Sequence, residues 1–274
     1  MSNTILLTGA TGFVGRQVLR SLTASGAAVR VVVRAGSESR LPDTPIQAIV
    51  TSTDIFTESP AWWAKACKGI DTVVHVAWYA EPGKYLQSPL NLNCLSGTLQ
   101  LAQGAAQAKV RRFVGVGTCF EYELYTEPLA IDTPLRPLTP YAGAKAAAFM
   151  ALQHWLPAQS IEFAWCRLFY LYGEGEDERR LVPYLHSRLV AGQLAELTSG
   201  SQVRDFLDVK DAGQMIADTT LGGRCGAVNI CSGIPITVRE LAEKIADEYA
   251  GRHLLHFGAR PDNLIDPSFV LGVK

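Results

Sequence analysis

Long apolar runs are missing from this chain of 274 residues. Its longest, such as Ile5-Leu6-Leu7, Val31-Val32-Val33 and Val73-Val74-His75-Val76, fall far short of the ~20 residues that span a bilayer. Paired cysteines are missing too. None of Cys67, Cys94, Cys119, Cys166, Cys225 and Cys231 has a CxxC partner, and most sit in apolar segments as small hydrophobes. Neither a zinc site nor a disulfide framework is expected, and no metal. Charge is scarce and balanced, 25 Lys+Arg against 26 Asp+Glu, with no basic run and no basic stripe interleaved with aromatics. Nucleic acid is therefore not an expected partner. A strand-like run begins within four residues of Met1 with no signal-peptide layout, so the expectation is a cytoplasmic protein without a membrane partner. Repeats and Pro/Gly/Ser linkers are also lacking.

What remains is 48% apolar residues, ample for a large core. Strand-like and helix-like segments alternate through the first two thirds. Strands are expected at 4–8, 28–34, 46–50, 71–77, 112–118 and 161–168. Helices are expected at 12–24, about 85–108 and about 139–156. Repeated βαβ units predict an open, doubly wound parallel sheet of α/β class with helices on both faces. After Phe169 the rhythm turns irregular, with helices expected at 181–191 and 238–250. The expected division is a dinucleotide-binding domain at 1–168 and a smaller, dependent substrate-binding lobe at 169–274.

The first strand runs into Thr8-Gly9-Ala10-Thr11-Gly12-Phe13-Val14-Gly15. At a strand-to-helix turn, the first glycine permits the bend and the second lets backbone approach a pyrophosphate. The third allows helix and strand to pack closely, and the helix N-terminus supplies N–H donors. Gly9, Thr11, Gly12, Phe13, Val14 and Gly15 are therefore the expected phosphate-binding residues. Selectivity for the adenosine ribose is set at the end of the second strand. A carboxylate there favours NAD, whereas this chain has Arg34, followed by Ala35-Gly36-Ser37, with no acid before Glu38. A guanidinium suits a 2′-phosphate, so NADP(H) is expected over NAD(H). Asp54 and Ile55 are placed to flank the adenine.

Tyr141-Ala142-Gly143-Ala144-Lys145 puts a phenol and an ammonium at i and i+4, on one helical face. A nearby cation favours the phenolate and makes the tyrosine a usable proton carrier. Thr118, at the C-terminal end of the fifth strand, is the expected third partner, hydrogen-bonded to a substrate oxygen.

Together these pieces resemble the extended short-chain dehydrogenase/reductase family, in its nucleotide-sugar epimerase/dehydratase/reductase branch. Val74-His75-Val76-Ala77, Asn93 with Gly97-Thr98, Arg167 with Tyr172-Gly173, and Arg204-Asp205-Phe206 with Asp208-Val209-Lys210-Asp211 extend the likeness along nearly the whole chain. The resemblance implies a Rossmann-type domain in which Thr118, Tyr141 and Lys145 transfer a proton while the nicotinamide transfers a hydride. It implies that Lys145 binds the nicotinamide ribose, that Ala77 and the Trp78-Tyr79 loop line the cofactor, and that Asn93 supports the site. It implies a nucleoside-diphosphate sugar as substrate, with Arg204 and Arg260 at its diphosphate. It also implies a homodimer built through the two long helices, and a closing helix beyond Lys274. Tyr170 stands where the family usually has Asn, and Thr118 where it usually has Ser.

Further expected substrate contacts are Glu81 on an overhanging loop, Cys119 and Glu121 after the active-site strand, Tyr170, and Arg179 at the lobe helix. His75 reads as a core histidine and Trp62-Trp63 as cover for the sheet. The resulting expectation is an NADPH-dependent reductase of a nucleotide-activated 4-keto-6-deoxy sugar. The alternatives are an NAD-dependent nucleotide-sugar 4-epimerase, a reductase of some other carbonyl on the same scaffold, and a non-catalytic NAD(P)-binding sensor.

Overall fold

In the computed structural model, residues 4–125, 127–262 and 267–274 are described. β1 (Thr4–Thr8), β2 (Ala28–Arg34), β3 (Ala48–Ser52), β4 (Thr72–His75), β5 (Arg112–Thr118) and β6 (Glu162–Leu168) form one parallel sheet, ordered β3-β2-β1-β4-β5-β6. Its central strands are apolar along their length because both faces are covered. β5 is buried at every residue, and Ile5, Leu6 and Leu7 are fully buried. One face packs on α1 (Phe13–Ala24), the other on α2 (Pro60–Ala66), α3 (Leu90–Gln107) and α4 (Pro140–Ala158). Strand order reverses between β1 and β4, and the crevice at that reversal is where such sheets bind ligands.

Two elements depart from the expected 85–108 helix and 46–50 strand. Pro89 fixes its own φ and ends the preceding 3-10 turn (Tyr85–Gln87), so α3 starts at Leu90. β3 slips two residues toward the C-terminus to pair with β2, Arg34 opposite Ser52. The Trp62-Trp63 segment is α2, capped by the Ser59 hydroxyl, with Trp63 buried in the sheet's second core.

The chain beyond 168 is not all lobe. After β7 (Tyr170–Tyr172), α5 (Leu181–Val190), β8 (Ala195–Glu196) and β9 (Val203–Asp208), it returns through α6 (Val209–Leu221) to β10 (Gly226–Ile230). β10 adds to β6 as a seventh parallel strand, and α6 shares a core with α1. A division at 168/169 thus cuts through the sheet. The lobe proper holds a β11-β9-β7 sheet and a β12-β8 pair, with β11 at Pro235–Thr237 and β12 at Leu255–His256. Its own core lies between α5 and α7 (Val238–Asp247). Asp205 joins the parts: its buried carboxylate accepts from the N–H groups of Ser232, Gly233 and Gly272.

Two buried polar chains fix the C-terminal ends of the central strands. Thr98 Oγ1 donates to the Cys94 carbonyl (2.7 Å), so it accepts from His75 Nε2–H (2.9 Å). His75 Nδ1 is then an acceptor for the Thr8 hydroxyl (2.8 Å), whose oxygen takes the Ala77 N–H. Burial, then the Lys145 charge, lowers the His75 pKa to about 3. The second chain begins at Glu121, fully buried. It accepts from Thr118 N (2.8 Å), from Trp165 Nε1 (3.0 and 3.1 Å) and from Arg167 Nε (2.8 Å). Arg167 passes on to the Tyr122 hydroxyl, which donates to Asn229. Gly115 and Gly117 make room for Trp165, since a Cβ at either would lie 2.3 or 2.1 Å from the indole.

Two expectations follow for stability. His75 is neutral when folded and titrates near 6.5 when unfolded, so the unfolded chain binds the extra proton between these values. Its contribution is complete above about pH 6.5 and is lost as pH falls toward about 3, at no more than ~1.4 kcal/mol per pH unit. Urea melts across this range should show a shallower slope for His75→Gln; an equal slope refutes the assignment. Glu121→Ala leaves Arg167 buried without its carboxylate and should cost about 3–5 kcal/mol in the same melts.

Candidate active site

The glycine turn is shaped by contact with neighbouring backbone. Gly9 sits at φ +78°, and a Cβ there would lie 2.7 Å from Ala77 N. A Cβ on Gly15 would lie 2.0 Å from the Gly9 carbonyl oxygen. Only glycine lets α1 start this close to the end of β1, beside Ala77. Gly12 caps α1 without a side-chain hydrogen bond, and its first turn holds no acid. The N–H groups of Phe13, Val14 and Gly15 thus head the helix with no carboxylate competing for them, the donor set a pyrophosphate needs. Thr11 is half-buried in the same turn.

Arg34 is exposed at the end of β2, its carbonyl held by Ser37 N and Oγ. Among the described residues no ion pair engages its guanidinium. Asp54 lies after β3, and its carboxylate turns inward to the Phe56 N–H (3.0 Å). Ile55 packs on the sheet's second core.

Thr118, Tyr141 and Lys145 come together at the C-terminal end of β5. Thr139 caps α4 through the Ala142 N–H and Pro140 opens its first turn, which places Tyr141 and Lys145 on successive turns. Lys145 is 3% exposed and donates to the Val116 carbonyl (2.6 Å). Burial lowers its pKa to about 7. Tyr141 departs from the expected behaviour: its phenol is pushed up, not down. Burial is the largest cause, followed by the nearby Tyr85 phenol and Glu121, while a hydrogen bond with the Thr118 side chain opposes them. In this arrangement Tyr141 stays protonated at neutral pH, the state a proton donor requires.

Several other expected residues stand elsewhere. Asn93 is exposed on the outer face of α3 and does not support the site; Asn91 and Cys94 occupy the inward positions. The helical phase of Cys94, Thr98, Leu101 and Ala105 was the available signal, since it includes 91 and excludes 93. Glu121 is caged by Thr118, Trp165 and Arg167 and does not face a substrate. Cys119 is buried in a small apolar cluster, its thiol pushed up to about 12, chiefly by burial. Arg260 is exposed and lies over Tyr184, whose hydroxyl it meets at 3.2 Å. Arg204 is buried, its guanidinium 5.0 Å from the Tyr170 ring. Tyr170 itself is wedged edge-on against Phe120 and Phe206.

The loop after Ala77 does overhang the pair. Tyr79 donates to Glu81 (2.9 Å), which also takes Lys84 (2.8 Å) and approaches Arg179 at 3.9 Å. Arg179 spends its fork on Asp177, and it is the neighbouring Arg180 that points at Tyr85, 5.8 Å from the ring. Trp78 and Tyr85 cover Lys145 and Tyr141 directly, a role the sequence did not single out. Among the described residues no group of three or more His, Cys, Asp or Glu is placed to hold a metal ion, and no helix is long and apolar enough to cross a membrane.

Comparison with known proteins agrees with this geometry. The model of the NAD dependent epimerase/dehydratase family matches residues 5–219. A dTDP-6-deoxy-L-talose 4-dehydrogenase (NAD(+)) of Aggregatibacter actinomycetemcomitans is 25% identical over 273 residues, covering 98% of this chain and 99% of its own. A dTDP-glucose 4,6-dehydratase of Streptomyces griseus is 29% identical over 88% of this chain and 77% of its own. Among solved structures, a UDP-N-acetylglucosamine 4-epimerase of Methanobrevibacter ruminantium M1, in complex with UDP-N-acetylmuramic acid, superposes with TM-score 0.88. It is 20% identical and covers 99% of this chain and 89% of that one. This chain belongs to the NAD dependent epimerase/dehydratase family and is an NAD(P)-dependent enzyme of the extended short-chain dehydrogenase/reductase kind.

Proposed function

We propose that the chain is an NADPH-dependent reductase of a nucleoside-diphosphate-activated 4-keto-6-deoxy sugar. The observation that carries this reading is the neighbourhood of Thr118. Eliminating water across C5 and C6, as a 4,6-dehydratase must, needs a base for the C5 proton and an acid for the C6 hydroxyl, beyond the tyrosine. Here the two candidates after Thr118 are spent: Cys119 is a buried, inert thiol and Glu121 is caged by Arg167 and Trp165. Tyr141 with Thr118 is left as one proton-transfer unit, which suits a single interconversion of ketone and alcohol. The full-length likeness to a 6-deoxy-sugar 4-dehydrogenase supports the same choice, since that reaction reversed is the reduction of a 4-keto-6-deoxy sugar.

In this reading the Thr118 hydroxyl orients the C4 oxygen and Tyr141 gives it a proton as negative charge develops there. Lys145, near the midpoint of its titration at neutral pH, stabilises that charge in its protonated form, and the cofactor, when bound, supplies the hydride. The exposed Arg34, which no ion pair engages among the described residues, supports NADPH over NADH, because its guanidinium is left to meet a 2′-phosphate.

Purified protein given NADPH and a panel of 4-keto-6-deoxy sugars on different nucleotides should oxidise NADPH one-for-one with sugar reduced. Tyr141→Phe should lose about 10²–10⁴-fold in kcat with cofactor affinity nearly unchanged. Exchange of C4 epimers without net loss of NADPH would instead identify an epimerase, and cofactor binding without turnover a sensor. Arg34→Ala should raise the KM for NADPH about 10–100-fold and leave that for NADH near its starting value; an unchanged NADPH preference removes Arg34 from the account.

A further inference from the structure

Two aromatic rings are held against the Tyr141–Lys145 pair, and both are held from one place. The Trp78 ring lies 3.8 Å from Lys145 Nζ. Trp78 and Tyr85 meet the Tyr141 ring edge-on, at 6.4 and 4.8 Å between centroids. Asn91, fully buried in the first turn of α3, connects them. Its Oδ1 accepts from Trp78 Nε1 (2.9 Å), and its Nδ2 donates to the carbonyls of Tyr85 (2.6 Å) and Ser88 (2.9 Å). An indole N–H can only donate and a carbonyl can only accept, so only one orientation of the amide satisfies all three. One turn along α3, Cys94 Sγ takes the Tyr79 N–H at 3.4 Å and pins the same loop again.

We propose that Asn91 is the positioning residue of this site: through one buried amide it sets Trp78 against Lys145 and Tyr85 against Tyr141. The proposal rests on Tyr141 and Lys145 being the catalytic pair, as in the function proposed above. The Lys145 ammonium sits between the Val116 carbonyl and the Trp78 face, and an aromatic face attracts a cation most where water is excluded. Without the Asn91 amide, the indole N–H loses this acceptor and the carbonyls of Tyr85 and Ser88 keep the longer backbone N–H bonds of Ser88 (3.4 Å) and Asn91 (3.3 Å), so the hydrogen bond that orients the indole over the ammonium is gone. Asn91 touches neither catalytic side chain in this network, so it acts through the two rings.

The test is a resonance as well as a rate. A methylene above an indole face is shifted upfield by the ring current, so in full-length protein carrying ¹³C-lysine the Lys145 ε-CH₂ signal should stand upfield of the exposed lysines. Asn91→Leu should move it back toward them and lower kcat by up to about 100-fold, with the KM for NADPH little changed. Circular dichroism and NADPH binding establish that the variant is folded. Should it fail to fold, Asn91→Ala takes its place, leaving the Trp78 indole intact but offering it no amide. The same shift and loss are expected there, whereas an Asn91 that served only as packing would preserve both. A Lys145 signal and a kcat unchanged in the folded variant overturn the proposal. If the unmodified protein turns over no sugar nucleotide, the substrate reading falls, and the resonance alone decides: moved, the positioning role stands; unmoved, it is refuted.

Discussion

The ion pair of Glu121 with Arg167 fixes the end of β5, on which the proposed site is built. Both side chains are essentially out of water, at 0% and 1% exposure, and their mutual attraction alone would not offset the loss of hydration. The surrounding hydrogen bonds make the arrangement tolerable. Glu121 takes the Thr118 N–H, which sets the backbone at the end of β5 and so the direction of the Thr118 hydroxyl. It takes the Trp165 indole, which fills the space left open by Gly115 and Gly117. Arg167 carries the network through Tyr122 to Asn229 on β10, and Asn229 reaches the carbonyls of Leu129 and Val273. Charge buried at one strand end thereby ties Thr118 to the seventh strand and to the last residues of the chain.

The same energetics explain the charge states of the pair above it. Burial raises a phenol and lowers an ammonium, because in each case it disfavours the ionised form. Tyr141 and Lys145 are both shifted this way, the lysine to about 7. In water, an i, i+4 cation would pull the phenol down. In the pocket under Trp78 and Tyr85, desolvation is the larger effect for both groups. The site thus holds a protonated donor beside a lysine near the midpoint of its titration, which suits giving a proton to a developing alkoxide.

Much of the fold was legible in the residues. β1, β2 and β5 fall on the expected spans, since continuous apolar runs between turn residues leave little room for another register. The glycine turn and the Tyr141/Lys145 spacing were legible for the same reason: each is a local geometric requirement written in neighbouring positions. The failures are non-local. Gly226–Ile230 is a short apolar run far along the chain, and nothing near it announces that it pairs with β6. Asn93 is expected from the family resemblance, together with Gly97-Thr98, and not from the phase of the helix that carries it. With Pro89 ending the preceding turn, the inward face runs through 91, 94, 98 and 101. Glu121 follows an active-site strand and so reads as a substrate contact. Its capture by Arg167 and Trp165 depends on a strand forty residues away.

That capture also bears on how one scaffold serves several reactions. In the proposed reading, the sheet, the glycine turn and the Tyr–Lys helix decide where a hydride and a proton can be exchanged, and proteins similar to this chain are named as dehydrogenase, dehydratase and epimerase. On one scaffold, the reaction can then be set by which further proton carriers stand free around the reacting carbon. A carboxylate in the turn after β5 becomes a second acid or base only if the strands behind it leave it unpaired. In this chain the arginine and the indole on β6 occupy it, and glycines on β5 admit the indole to do so. Under the proposed function, the choice of chemistry is therefore written partly on β6, on residues whose partner is the Glu121 carboxylate.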